Sequence, residues 1–247
     1  MRLLFSDVFF VANTSAVPAR IEVAGAIADP RTGEIREHAG EVELAPYQAI
    51  LVLRGLTFSV KSHEVTCDLV NKVRSRGWQV QFPGEDAADV SFPHRWEDLR
   101  TGYSGSASYR AQFTLESAGD VVLALGAADA LPSELADRGI RGPSFRAKVR
   151  YPIGVAASVL VDGREAGSIW SAPFELALGT LDAGEHELEI VVHNLTANRL
   201  AADEHLPRAA AEVERVHGRR FRIQDLDLAL EGVESGLLAE PVLKVRG

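Results

Sequence analysis

One cysteine in 247 residues, Cys67, rules out an intrachain disulfide and any cysteine-based metal cluster. Its setting, "HEVTCDLV", is not the electropositive surrounding that activates a nucleophile, so Cys67 reads as a quiet structural thiol. Long hydrophobic runs are lacking too: no stretch approaches the roughly 18 apolar residues of a membrane span. Positive charge is in deficit, with 26 Lys and Arg against 35 Asp and Glu for a net charge of −9. That balance argues against nucleic acid or an anionic membrane as the partner. The HExxH, GxSxG, Walker and dinucleotide fingerprints are all missing, and the seven histidines show no paired ligand spacing. Nothing asks for a cofactor. A structural calcium would suit loop acids, but no spaced ligand loop marks one.

What is present has the balance of a globular protein, 46% hydrophobic and 25% charged, with length for one large domain or two modest ones. The opening "MRLLFSDVFFVANTSA" superficially resembles a signal peptide, but Asp7 breaks its apolar run and a strand-like stretch follows. The expectation is a chain without an address, cytoplasmic if Met1 is the true start. The sequons at Asn13 and Asn194 read as chance occurrences.

Strand patterning dominates. "VFFVAN", "ARIEVAG", "GEIREH" and "QAILVLRG" are short runs separated by turn chemistry, which predicts a small antiparallel unit over residues 1–58. A more polar stretch, 59–76, reads as a linker, and a second β unit follows over 77–247. In "SYRAQFTL", Tyr109, Ala111, Phe113 and Leu115 fall on one face; in "HELEIVVHN", Leu188, Ile190 and Val192 do the same. Helix is scarce: "LPSELADRG" predicts about two turns and "LPRAAAEVERVHG" a longer helix stopped by Gly218. Both read as insertions between strands. No internal repeat or low-complexity tract appears.

Residues 161–176, "VDGREAGSIWSAPFEL", pose the functional question. Asp162-Gly163 between strand runs is a hairpin signal, because glycine takes positive φ without steric cost. Trp170 near its end has two readings: an indole stacking on a pyranose face, or an aromatic that, with Phe174, caps the sandwich or meets another domain. Trp78 and Trp96 read as packing. The acid pairs Glu97-Asp98, Asp203-Glu204 and Asp225/Asp227 lie in polar, loop-like surroundings and read as solvated surface rather than as a catalytic pair.

The series "WEDLRTGYSGSASYRAQFTL", "VVLALG", "ASVLVDGREAGSIWSAPFELAL" and "LDAGEHELEIVVHN" resembles the galactose-binding-like jelly roll of glycoside hydrolases. It is similar to the sugar-binding domain of the β-galactosidase and β-glucuronidase family. With "FVANTS", "TGE", "LAPYQAIL" and the closing "SGLLAEPVL", the order also resembles the C-terminal region of bacterial α-L-rhamnosidase-like enzymes and covers most of the chain. The stretch 127–157 is longer than the corresponding link in that pattern. The resemblance implies an all-β fold: a small antiparallel β unit followed by a jelly-roll β-sandwich with short helical insertions. It implies a non-catalytic part of a glycosidase, because the catalytic carboxylates of such enzymes belong to an upstream barrel, itself about 250 residues. Carbohydrate and a glycosidase catalytic domain, in cis or in trans, are the implied partners. Trp170, Asp162, Arg164 and Asn194 are the candidate carbohydrate-binding residues; no catalytic or metal-ligating residue is carried over. A stand-alone carbohydrate-binding module or lectin, and a structural or oligomerisation domain without ligand, are the alternative functions for the same fold.

Overall fold

The computed structural model describes residues 7–30, 35–55, 69–73, 76–131, 149–222 and 234–246. The first four strands, β1 (Asp7–Ala12), β2 (Ala19–Ala28), β3 (Ile35–Leu44) and β4 (Ala49–Arg54), match the four sequence-predicted runs. They form one antiparallel sheet in the order β1-β4-β2-β3. Val23, Ile27, Leu44, Ile50 and Val52 make one buried cluster on it, and Ala26, Ala28 and Leu53 another. Ala45, just after β3, packs against the main core of the protein.

That main core lies between two further sheets. One has four strands in the order β15 (Glu175–Leu181), β10 (Gly119–Ala124), β18 (Val242–Arg246), β5 (Leu69–Val73). The other has six, in the order β14 (Arg164–Ile169), β13 (Ala156–Val161), β16 (Gly184–His193), β9 (Ser106–Leu115), β6 (Arg76–Gln81), β7 (Ala88–Asp89). Short pairs β8 (His94–Arg95) with β17 (Gly236–Leu237), and β11 (Asp129–Ala130) with β12 (Val149–Arg150), close the ends. This is the all-β jelly-roll sandwich that the resemblance implies, built from the strands that the alternation predicts. Strand β5 falls within the stretch 59–76 read from the sequence as a linker, and it pairs with β18 at a sheet edge. Polar composition hid it, since an edge strand pairs on one side only and needs no continuous apolar run.

The alternation in β9 and β16 holds residue by residue. Tyr109, Ala111, Phe113 and Leu115 are buried, as are Leu188, Ile190 and Val192, while Arg110, Gln112 and Thr114 face out. Antiparallel register pairs Ile190 with Tyr109 on one side and with Val159 on the other, so β16 is pinned in mid-sheet. At one end Trp78, Phe82, Trp96, Tyr103 and Phe92 meet edge to face, with ring centroids 5.1–5.6 Å apart. Trp78 and Trp96 are therefore packing residues, Trp96 with no exposed surface at all.

Two helices follow β16: α1 (Ala197–Ala201) and α2 (His205–His217). The second is the Ala-rich helix expected from the sequence, ended at Gly218 with φ 85°. The helix predicted within 131–139, Cys67 and the Asp225/Asp227 pair lie outside the described residues. No described helix is long and apolar enough to cross a membrane.

Candidate functional site

The Asp162-Gly163 turn is a two-residue hairpin loop joining β13 to β14, with φ 50° and 72° at its two residues. Both signs are those of a type I′ turn, whose twist matches the strands; Asp and Gly are the residues that accept it. The Asp162 carboxylate faces back to β16. One oxygen accepts the Glu187 amide at 2.9 Å and the other meets His186 Nδ1 at 2.8 Å. His186 Nε2 lies 2.9 Å from the Asp182 carbonyl, so both ring nitrogens face oxygen acceptors and each needs a proton. The shared bond raises the His186 pKa and lowers that of Asp162, which the Glu187 amide lowers further. Asp162 thus locks the hairpin onto its neighbour. Arg164 is exposed at the first position of β14, beside that lock.

Trp170 follows the last residue of β14 and is 60% exposed. The capping work falls instead to Phe174, 2% exposed, packed against Tyr151 at 5.2 Å. Asn194 follows β16 at the same end of the sheet, because His193 pairs with Ala156 while Ile169 pairs with Ala157. Its side chain is engaged internally: Oδ1 accepts the Gly105 amide at 2.8 Å, and Nδ2 donates to the Tyr103 carbonyl and to Ser235 Oγ. Trp170 and Asn194 therefore share one end of the six-stranded sheet, and Asp162 with Arg164 the other. Six residues of strand at about 3.3 Å each separate the two ends by about 20 Å. The four candidates do not converge on one ligand.

A polar knot below Asn194 was not legible as such. Asn198, on α1 and buried, donates Nδ2 to Glu97 Oε1 at 2.9 Å and to Ser235 Oγ at 2.7 Å; the Ser235 amide donates to Glu97 Oε2 at 3.1 Å. Glu97 is thus an architectural acceptor rather than the solvated surface acid expected from its neighbours. Beside it, Trp96 Nε1 donates to the Tyr109 hydroxyl, which also pairs with His94 Nδ1, each at 2.7 Å. The other sequon has the same explanation: Asn13 Nδ2 donates to the carbonyls of Val17, Leu44 and Ala45 and is spent on turn geometry.

Elsewhere, a cleft of about 660 Å³ opens between the β6–β7 edge and the turn before β18, walled by Trp78, Asp89, Ser91, Phe92, Leu238 and Glu240 among others. Among the described residues, no group of three or more His, Cys, Asp or Glu side chains is gathered to hold a metal ion.

No protein-family model matches the chain. A curated protein of Formosa agariphila named "Putative beta-glucuronidase" is 27% identical over 191 residues, covering 70% of this chain and 14% of that protein. Among solved structures, a rhamnosidase from Novosphingobium sp. PP1Y superposes over 96% of this chain and 22% of its own, with a TM-score of 0.58 and 19% identity. A GH2 beta-galacturonidase from Eisenbergiella tayi covers 71% of this chain at a TM-score of 0.40 and 19% identity. The chain spans between 14% and 25% of the length of these three proteins. The chain thus shares its β-sandwich fold with part of the Novosphingobium rhamnosidase, and its sequence is similar to part of the Formosa protein.

Proposed function

We propose that this chain is a non-catalytic β-sandwich portion of a glycosidase of α-L-rhamnosidase type, which supports a catalytic domain in cis or in trans and holds carbohydrate near it through Trp170. The observation that supports this most is the superposition of 96% of the chain on 22% of a rhamnosidase, and the 191-residue similarity to 14% of a protein named "Putative beta-glucuronidase" supports a part of a longer glycosidase. Several acids are engaged in architecture: Asp162 with His186, Glu97 with Asn198, Glu234 with Arg95 and Arg150, Glu189 with Arg110. Glycosidic cleavage instead needs two carboxyls held across one cleft with pKa values pushed apart. Trp170 offers a broad apolar face beside an N–H donor, the combination that suits a pyranose.

The test is twofold. Aryl rhamnosides, galactosides and glucuronides should not be turned over; turnover that vanishes on changing any one carboxylate, Asp89 and Glu240 included, overturns the non-catalytic reading. Rhamnose-containing oligosaccharides titrated against tryptophan fluorescence should bind, and Trp170→Ala should weaken that binding about tenfold, ~1.4 kcal/mol. An unchanged affinity in Trp170→Ala makes the indole architecture.

A further inference from the structure

The cleft beside Trp78 is walled by regular structure on both sides. Strand β7 pairs with β6 through Gln79–Asp89 and Val80–Ala88, and the Val90 amide donates to the Trp78 carbonyl at 3.0 Å. Opposite, the Leu238 amide donates to the Pro152 carbonyl at 2.8 Å, directly after the β17 pairing with β8. The walls are therefore set before any ligand arrives. The volume, about 660 Å³, lies within the roughly 300–1,000 Å³ of small-ligand sites.

Its chemistry is two-sided. Phe92, half-buried and edge-on to Trp78 at 5.6 Å, supplies an apolar patch. Ser91, Asp89 and Glu240 supply a hydroxyl and two exposed carboxylates, and these two acids are the charged residues among the described lining. Gln79 already donates to Asp89 Oδ1 at 3.1 Å, which fixes that side chain against the β6 wall. Carboxylates accept strongly from hydroxyl donors, whereas an anionic ligand would meet two negative charges with no cation among the described lining residues and a chain of net −9 around it.

We infer that the cleft between Asp89 and Glu240 is a second carbohydrate site, selective for uncharged, hydroxyl-rich glycans and closed to uronates. The inference rests on the carbohydrate-binding reading above but uses a different place in the fold. A bare cation would leave the apolar half of the cleft unused, and a uronate is excluded by charge. The glycan's hydroxyls donate to the two carboxylates while an apolar ring face lies toward Phe92.

The experiment uses the full chain carrying Trp170→Ala, which removes the first proposed site. Cellobiose, lactose and maltose serve as neutral probes, and a glucuronic acid-containing disaccharide as the charged one, each titrated by calorimetry. At least one neutral disaccharide should bind saturably, at least about tenfold more tightly than the uronate. Asp89→Asn with Glu240→Gln should remove that preference, and Phe92→Ala should weaken the neutral ligand about tenfold. Both acids are exposed, so melting temperatures near the parent's identify variants that still fold. Neutral binding that survives Asp89→Ala with Glu240→Ala unchanged, or a uronate that binds as well, overturns the inference. Sugar binding that requires Trp170 and ignores every cleft variant overturns it while leaving the proposed function standing. A chain that binds no sugar in any form overturns both.

Discussion

Truncating Ile190 to Ala tests the central arrangement of the sandwich. The side chain has no exposed surface and lies between Tyr109 and Val159, each also fully buried, in a strand hydrogen-bonded on both sides. Large-to-small core changes of this kind cost about 2–5 kcal/mol, depending on how far the site collapses into the space left. Here collapse is resisted, since β16 cannot move toward the opposing sheet without breaking its pairing with β13 and β9. The loss should fall in the upper part of that range, about 3–5 kcal/mol. For a chain of this size each kcal/mol lowers the melting temperature by roughly 2–4 °C, so a fall of about 6–20 °C is expected. Val191→Ala, one residue along and on the outer face, should cost under about 1 kcal/mol. Ile190→Val, which removes one methyl, should cost about 0.5–1.5 kcal/mol. Thermal and urea unfolding of the three variants side by side measure this. Equal losses for Ile190→Ala and Val191→Ala would refute the assignment of faces.

The Asp162–His186 lock makes stability pH-dependent in a defined window. A raised His186 pKa contributes fully below the ordinary 6.5 and is lost as pH rises through its native value; a lowered Asp162 pKa contributes above the ordinary 3.8 and is lost as pH falls through its native value. Asp162→Asn keeps the turn, since Asn tolerates positive φ. Its deficit against the parent should be largest between those two values and shrink as pH rises above the ordinary histidine value through the native one, and a deficit that stays flat into alkaline solution contradicts the linkage. Gly236→Ala should cost about 3 kcal/mol or more, seen as lost soluble yield or a lowered melting point, because φ is 104° and the new Cβ would overlap the His94 carbonyl. Residues 1–58 expressed alone should show unfolded-like amide dispersion, because four strands bury little by themselves and Ala45 leans on the main core; a sharply dispersed spectrum would show an independent domain.

The sequence made the β architecture readable where one face of a strand is buried and the other wet. Period-two alternation in β9 and β16 then maps onto burial without exception at the positions named. It made the Asp162-Gly163 hairpin readable because a type I′ turn is a local demand on backbone φ. What stayed hidden is what depends on long-range assembly. The Glu97–Asn198–Ser235 knot brings to Glu97 residues 101 and 138 positions further along the chain, and the cleft joins residues 77–93 to 238–240. No local pattern distinguishes Glu97 from the solvated Asp98 beside it; only the arrival of α1 and the segment before β17 gives it donors.

The same strand geometry that made the hairpin legible breaks up the site first drawn on it. Asp162 and Trp170 stand eight positions apart in the chain, close enough to read as one motif. The turn sends β14 away from Asp162 for six residues, so closeness in sequence becomes opposition in space. Asn194, at the Trp170 end, already spends both ends of its amide on Gly105, Tyr103 and Ser235. A pyranose stacked on Trp170 must therefore find its hydroxyl partners outside the other three candidates. The proposed Trp170 site and the cleft at Asp89 and Glu240 differ on this point: the cleft brings its acceptors with it, and Trp170 brings only the face of the indole and one N–H. If both bind sugar, the cleft is the site whose polar groups discriminate between sugars.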